Sequence, residues 1–343
     1  MRIPYLSPRL VKFALSAGTL ATAVFAAVRQ LRKIDLGKQV VLIMGGSRGL
    51  ALEVARIVAR EGAYVALAAR DADELAAAKA ILDLSEDSVF TSVCDVTDEA
   101  QVRRTIADVE ERFGDVDVLI NMAGLIEAGP MEVQLEQDYK DSMNTHFWGP
   151  LHAINAVLPS MRERKRGRIV NIASIAGLVS VPHLLPYSTS KHTLVGFSEG
   201  LRTELVKDNI YVTTVCPGLM RTGSARNADM KGHNKIEYAF FSILDALPFT
   251  SIDAGQAAKE IVEAFKYGDS RLIISIQAKA LHLAHAIWPT AVIETFGLVN
   301  CFLPGNGGIG TLKAKGKDSE SAVSPSVLTK LSDDAAVRNN EMD

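Results

Sequence analysis

The chain has 343 residues, 48% of them hydrophobic and 22% charged, with a net charge of −3. That balance excludes general disorder, and three cysteines exclude a disulfide scaffold. The length fits one large domain or two small ones, and the charge gives no reason to expect a nucleic-acid partner.

Residues 1–38 carry seven basic side chains against the single acid Asp35, a net +6, which leaves −9 on the other 305 residues. Within this leader, 13–28 is a run of sixteen residues without charge, flanked by Lys12 and Arg29. A spanning helix needs roughly 17–25 apolar residues. Three readings stay open: a membrane anchor, a peripheral or packed helix, and a signal peptide cleaved near Ala21-Thr22-Ala23. Cys94, Cys216 and Cys301 lack close spacing, as reduced thiols in a reducing compartment would.

From residue 39 short apolar runs alternate with helical periodicity. Strands are expected over 39–44, 63–69, 89–93, 116–120, 168–173, 210–215 and 271–275. Helices are expected over 50–61, 71–84, 98–113, about 133–162, 186–207 and 253–267. Buried strands separated by helices mean a parallel sheet covered on both faces. The fold class is therefore α/β: a doubly wound, Rossmann-like parallel sheet of seven strands forming a single catalytic domain over 38–275. Residues 219–250 read as a substrate lid. Its Met220, Met230, Tyr238, Phe240, Phe241, Leu244 and Phe249 suit either a lipophilic substrate or packing of the lid itself. Residues 276–304 are apolar and broken by Pro289, a helix pair or membrane-facing lip in which His282 and His285 read as packed side chains. Residues 305–343 read as a flexible polar tail.

Strand one runs into Gly45-Gly46-Ser47-Arg48-Gly49-Leu50-Ala51. Such a turn lets backbone N–H groups approach a pyrophosphate at a helix N-terminus. The spacing resembles the cofactor loop of the short-chain dehydrogenase/reductase family, with Met44 where threonine is usual and Ala51 in place of the third glycine. The resemblance covers about 240 residues. It makes Gly45, Ser47, Arg48, Gly49 and Leu50 cofactor-binding positions. Strand two ends in Ala68-Ala69-Arg70, with no acid for ribose hydroxyls. Arg48 and Arg70 suit a 2′-phosphate, so NADP(H) is expected, with Asp71 turned away. Asp95 and Val96 after strand three, and Asn121, Ala123 and Gly124 after strand four, match further cofactor elements of the family. So do Pro217, Gly218 and Thr222 after strand six.

Ser174 ends the fifth strand thirteen residues before Tyr187, and Tyr187 and Lys191 lie one helical turn apart. With Asn144 they match the family's catalytic set. A free phenol has a pKa of about 10, and an ammonium close by, together with the positive charge of an oxidised nicotinamide, favours the phenolate. Tyr187 then serves as general acid or base, Ser174 steadies the substrate oxygen, and Asn144 supports a proton-relaying water. Tyr187 and Lys191 also count as cofactor contacts, Lys191 at the nicotinamide ribose. No metal is expected.

The expected activity is NADP(H)-dependent interconversion of a carbonyl and an alcohol on a small to lipophilic substrate. The alternative is a non-catalytic NADP(H)-binding sensor or scaffold at a membrane. A membrane surface is the expected partner, with the catalytic domain facing the cytoplasm; a soluble cytoplasmic chain is the second choice. The resemblance also implies a homo-oligomer, unless the apolar carboxy-terminal stretch blocks that interface.

Overall fold

The computed structural model describes residues 23–321, 324–326 and 329–342. Most of the 13–28 run lies outside them; residues 23–31 are helical. Among the described residues no helix is long and apolar enough to cross a membrane.

Seven strands form one parallel sheet: β1 (Val40–Met44), β2 (Tyr64–Ala69), β3 (Val89–Val93), β4 (Val118–Asn121), β5 (Gly167–Ile172), β6 (Ile210–Pro217) and β7 (Arg271–Ile274). Their order is β7-β6-β5-β4-β1-β2-β3, the doubly wound arrangement the sequence predicts. The order reverses between β1 and β4, which opens a crevice at the strand C-terminal ends. Side-chain alternation divides β1, β2, β4, β5 and β6 between two cores. Val41, Ile43, Val65 and Leu67 pack on one face with helices α1 (Gly49–Arg60), α2 (Ala72–Leu82) and α8 (Ala254–Lys266). Val40, Leu42, Met44, Ala66 and Ala68 pack on the other, with α3 (Glu99–Phe113), α5 (Gly149–Glu163) and the end of α6 (Leu185–Leu205). Each fully buried Leu, Ile or Phe contributes roughly 1.5–3 kcal/mol.

The helix expected over about 133–162 is interrupted. Helix α4 (Glu136–Met143) meets α5 through a π-helical turn, Asn144–Trp148, closed by the Gly149 N–H on the Asn144 carbonyl. Such turns insert one residue and re-aim the side chains around them.

The 219–250 insertion contains α7 (Asn234–Ala246) and strand Asp229–Met230, which sits between Glu127–Ala128 and Ala314–Lys315 in a small sheet. Met230 and Tyr238 are buried against Ala128, Ala225 and Ala228, so these two side chains pack the insertion itself. A buried Lys231–Asp138 ion pair and a His183–Glu237 hydrogen bond at 2.6 Å link it to the body, and Lys313, from beyond residue 305, pairs with Glu127 and Asp138.

Beyond β7, α9 (Ile276–Ile287) and α10 (Pro289–Asn300) form a helix pair bent at Trp288. Helix α10 buries no residue, Trp288 is 64% exposed and Phe302 90%. The polar stretch after residue 305 differs from the loose tail its composition suggests. It pairs with the insertion through Gly316 N–H to the Ala228 carbonyl, Ser242 to Ser324 at 2.7 Å and Lys315 to Asp229 at 2.7 Å. It ends in α11 (Lys330–Arg338). Its bonds run through backbone and short polar side chains, which leave no apolar period to read.

Candidate functional site

Three helices of the sheet begin on aspartate caps: Asp71 for α2, Asp98 for α3 and Asp253 for α8. Helix α1 does not. Its cap position is Arg48, no side chain bonds its first amides, and its first turn holds no acid. That leaves a bare, positively polarised helix end in the crevice, the requirement for holding a phosphate. The loop before it is folded tightly. Gly45 has φ +85°, and a Cβ there would lie 2.5 Å from the Ala123 backbone. The amides of Met122 and Ala123 donate to the Met44 carbonyl, tying the β4 exit to the β1 exit. Ala51, the departure from the third glycine, is buried in the α1 core without disturbing the helix.

The side chains expected around a 2′-phosphate are arranged differently from the simple expectation. Asp71 does turn away, accepting from the amides of Asp73 and Glu74. Arg70 is exposed. Arg48, however, pairs with Glu74 at 2.6 Å, and Ser47 donates to the same carboxylate at 2.6 Å. Glu74 lies in the first turn of α2. Asp95 accepts from the Thr97 amide and hydroxyl, and Val96 beside it is buried. Asn121 donates to Asn171 at 2.8 Å, and Asn171 donates to Ser198, joining β4, β5 and α6. Gly124 follows close to the His146 ring.

Tyr187 and Lys191 share one face of α6, and Ser174 follows the end of β5. The Lys191 side chain is buried; its Nζ donates to the Ile172 carbonyl at 2.8 Å and stands 5.6 Å from the Tyr187 ring centre. Burial pushes Tyr187 up to about 12, the Ser174 side chain working against that shift. Burial also draws Lys191 down to about 7. In the chain alone burial thus keeps the proton on Tyr187, and the expected phenolate rests on the added positive charge of an oxidised nicotinamide.

His146, which the sequence reading passed over, holds this group in place. Its Nε2 accepts from the Leu125 amide at 3.1 Å, so the proton sits on Nδ1, which donates to Ser190 at 2.7 Å. Ser190 in turn donates to the Tyr187 carbonyl, and the imidazole packs edge-on against the Tyr187 ring. Burial keeps the ring neutral, well below the usual histidine range. Only the π turn's spacing could have signalled it. Asn144 opens that turn with an exposed side chain.

Gly218 closes on β7 through the Ile274 carbonyl, and a Cβ there would meet Ser275 at 2.8 Å. Pro217 ends β6. Thr222 is buried, bonded to Ser224, and Ser224 donates to Asp245 at 3.5 Å. Burial pushes Asp245 up to about 8, so this α7 carboxyl is neutral near pH 7.

The far end of the chain also reaches this crevice. The Gly49 amide donates to the Asn339 carbonyl at 2.8 Å, and the Gly223 amide donates to the Glu341 carboxylate at 2.6 Å. A Cβ on Gly49 would lie 3.0 Å from a Glu341 carboxylate oxygen. The Asn339 carbonyl and the Glu341 carboxyl thus occupy the space at the head of α1, with Gly223 as the amide donor to the carboxyl. The residues fit a nicotinamide dinucleotide on that chemistry: a helix end without a side-chain cap, closely approached glycines, and Tyr187 beside the buried Lys191.

A family model described as short chain dehydrogenase matches residues 39–232. The chain is 31% identical to dehydrogenase/reductase SDR family member 7B of Danio rerio over 260 residues, covering 73% of this chain and 82% of that one. It is 34% identical to a 3-ketodihydrosphingosine reductase of Bacteroides thetaiotaomicron over 204 residues, covering 59% and 72%. Among solved structures it is similar to an actinorhodin polyketide ketoreductase variant with NADPH, with a TM-score of 0.61, 31% identity, and coverage of 69% and 95%. With the sheet order, glycine loop and tyrosine–lysine helix in place, the chain belongs to the short-chain dehydrogenases, a family of oxidoreductases.

Proposed function

We propose that this oxidoreductase reduces a carbonyl on a lipophilic substrate with NADPH, at a membrane surface, with its catalytic domain on the cytoplasmic side. The observation that carries the reading is the convergence of Ser174, Tyr187 and Lys191 at the crevice beside the bare end of α1.

Gly45, Ser47, Gly49 and Leu50 would hold the pyrophosphate, with Pro217, Gly218 and Thr222 facing the nicotinamide end. Arg48 and Arg70 would take the 2′-phosphate once Arg48 leaves Glu74. Asp95 and Val96 would flank the adenine, and Asn121, Ala123 and Gly124 would line the middle. Bound NADPH would supply the hydride. Ser174 donates a hydrogen bond to the substrate oxygen and steadies the charge that develops there. Tyr187, protonated in the chain alone, gives its proton to that oxygen, and Lys191 offsets the phenolate left behind. Asn144 connects Lys191 to solvent through water. The similar ketoreductase and 3-ketodihydrosphingosine reductase are, by name, reductases of ketones, which supports this direction. The exposed apolar residues of α9 and α10 support a lipid-facing site and a lipophilic substrate.

Purified protein mixed with a panel of apolar ketones and aldehydes should consume NADPH faster than NADH. Arg48→Ala with Arg70→Ala should weaken NADPH more than NADH; equal loss would contradict the cofactor assignment. Binding without turnover across the panel would favour the sensor alternative. Vesicle pelleting that survives Trp288→Glu with Phe302→Glu would remove the helix pair as the membrane contact.

A further inference from the structure

We propose that residues 330–341 are a built-in competitor of the dinucleotide, held in the crevice until the cofactor displaces them. This rests on the cofactor reading above and concerns regulation of the same site.

The tail touches the crevice along its length. Asn340 donates to the Ser47 carbonyl and the Glu74 carbonyl, both at 3.0 Å, on the adenosine side. Asn339 accepts from Gly49 at the head of α1 and from Arg56 at 2.9 Å. Glu341 accepts from Gly223 on the nicotinamide side. A Cβ on Gly223 would lie 2.5 Å from the Glu341 Cβ, so the fit leaves no room for any larger residue.

Glu341 is 5% exposed, and its carboxyl fills the space beside Gly49. A pyrophosphate at the head of α1 needs that space and the Gly49 amide that the Asn339 carbonyl holds, so tail and dinucleotide exclude each other. Release is within reach of a ligand. Helix α11 buries only Ser332, Ala335 and Ala336, and the tail's remaining grip is polar: Arg338 to Glu53 at 3.5 Å and to Asp253 at 3.4 Å. Segments with few apolar contacts open at small cost. A tail docked for most of the time raises the apparent dissociation constant by the inverse of the open fraction.

The test uses the full chain and reads binding through the fluorescence of NADPH itself. Glu341→Ala should lower the apparent Kd for NADPH at least threefold, and Asn340→Ala should lower it in the same direction. In the wild type, added NADPH should speed tryptic cleavage after Arg338 as the tail leaves. An unchanged Kd in both variants overturns the proposal. A raised Kd, with cleavage slowed by NADPH, overturns it in favour of a tail that closes over bound cofactor. If no form binds NADPH or NADH, the cofactor reading fails and takes this inference with it.

Discussion

Residues 40–274 and residues 276–342 share one chain and are held by different forces. In the first region β1, β2, β4, β5 and β6 alternate their side chains between two apolar cores, and Leu119, Ile120 and Phe265 have no exposed surface. In the second, α10 buries nothing, and the segments after it attach mainly through hydrogen bonds and ion pairs, some of them at buried groups such as Asn339 and Glu341. Apolar burial makes an element permanent; polar attachment can be exchanged for water or for a ligand. The first region is therefore suited to hold chemistry in place, and the second to meet other surfaces or move.

The sharpest way to break this division is chemical. Tyr187→Phe should lower kcat by about 10²–10⁴ while NADPH binding persists, whereas Trp288→Ala should leave turnover of a soluble substrate unchanged. Comparable losses in the two would show that the helix pair belongs to the active site. Stability comes next. Leu119→Ala should cost about 2–5 kcal/mol in denaturant unfolding, while Leu298→Ala, on an exposed face, should stay within about 0.5 kcal/mol. A large cost at Leu298 would mean that α10 packs more firmly than its exposure implies.

A pH series sharpens the contrast. Burial pushes Glu341 up to about 7, with Gly223 and Arg48 working against the shift and Glu74 adding to it; the buried Asp245 is coupled to it as well. The docked tail therefore binds a proton that the released tail gives up between about pH 4.3 and 7. Raising the pH through that window favours release, by up to tenfold per unit, and the effect ends above 7. The apparent Kd for NADPH should fall over the same range in the wild type and less steeply in Glu341→Gln. The smallest effect expected is at Glu74. Glu74→Gln frees Arg48 and Ser47 and should tighten NADPH by a few-fold, read by the same titration.

The sequence is most readable where burial is periodic. Runs such as 39–44 and 63–69 could only be strands, and their order follows from the helices between them. Tyr187, Lys191 and Ser174 were visible because chemistry restricts residue type at fixed spacing. Glu74 was hidden: its reach to Arg48 depends on how α2 crosses the glycine loop, a tertiary fact. His146 was hidden by the π turn, whose extra residue shifts the helix phase. The tail was unreadable for a third reason. Asn339, Asn340 and Glu341 dock through backbone carbonyls and short polar groups, and no local pattern distinguishes these from a solvated end.

The chain's two tryptophans fall on opposite sides of this division. Trp148 closes the π turn next to the catalytic helix, and Trp288 marks the bend of the exposed pair. Intrinsic fluorescence of this protein thus has two emitters on different elements: one on the π turn that carries His146, the other at the bend of the exposed hairpin. Replacing either indole singly turns the remaining one into an optical gauge of one half of the molecule.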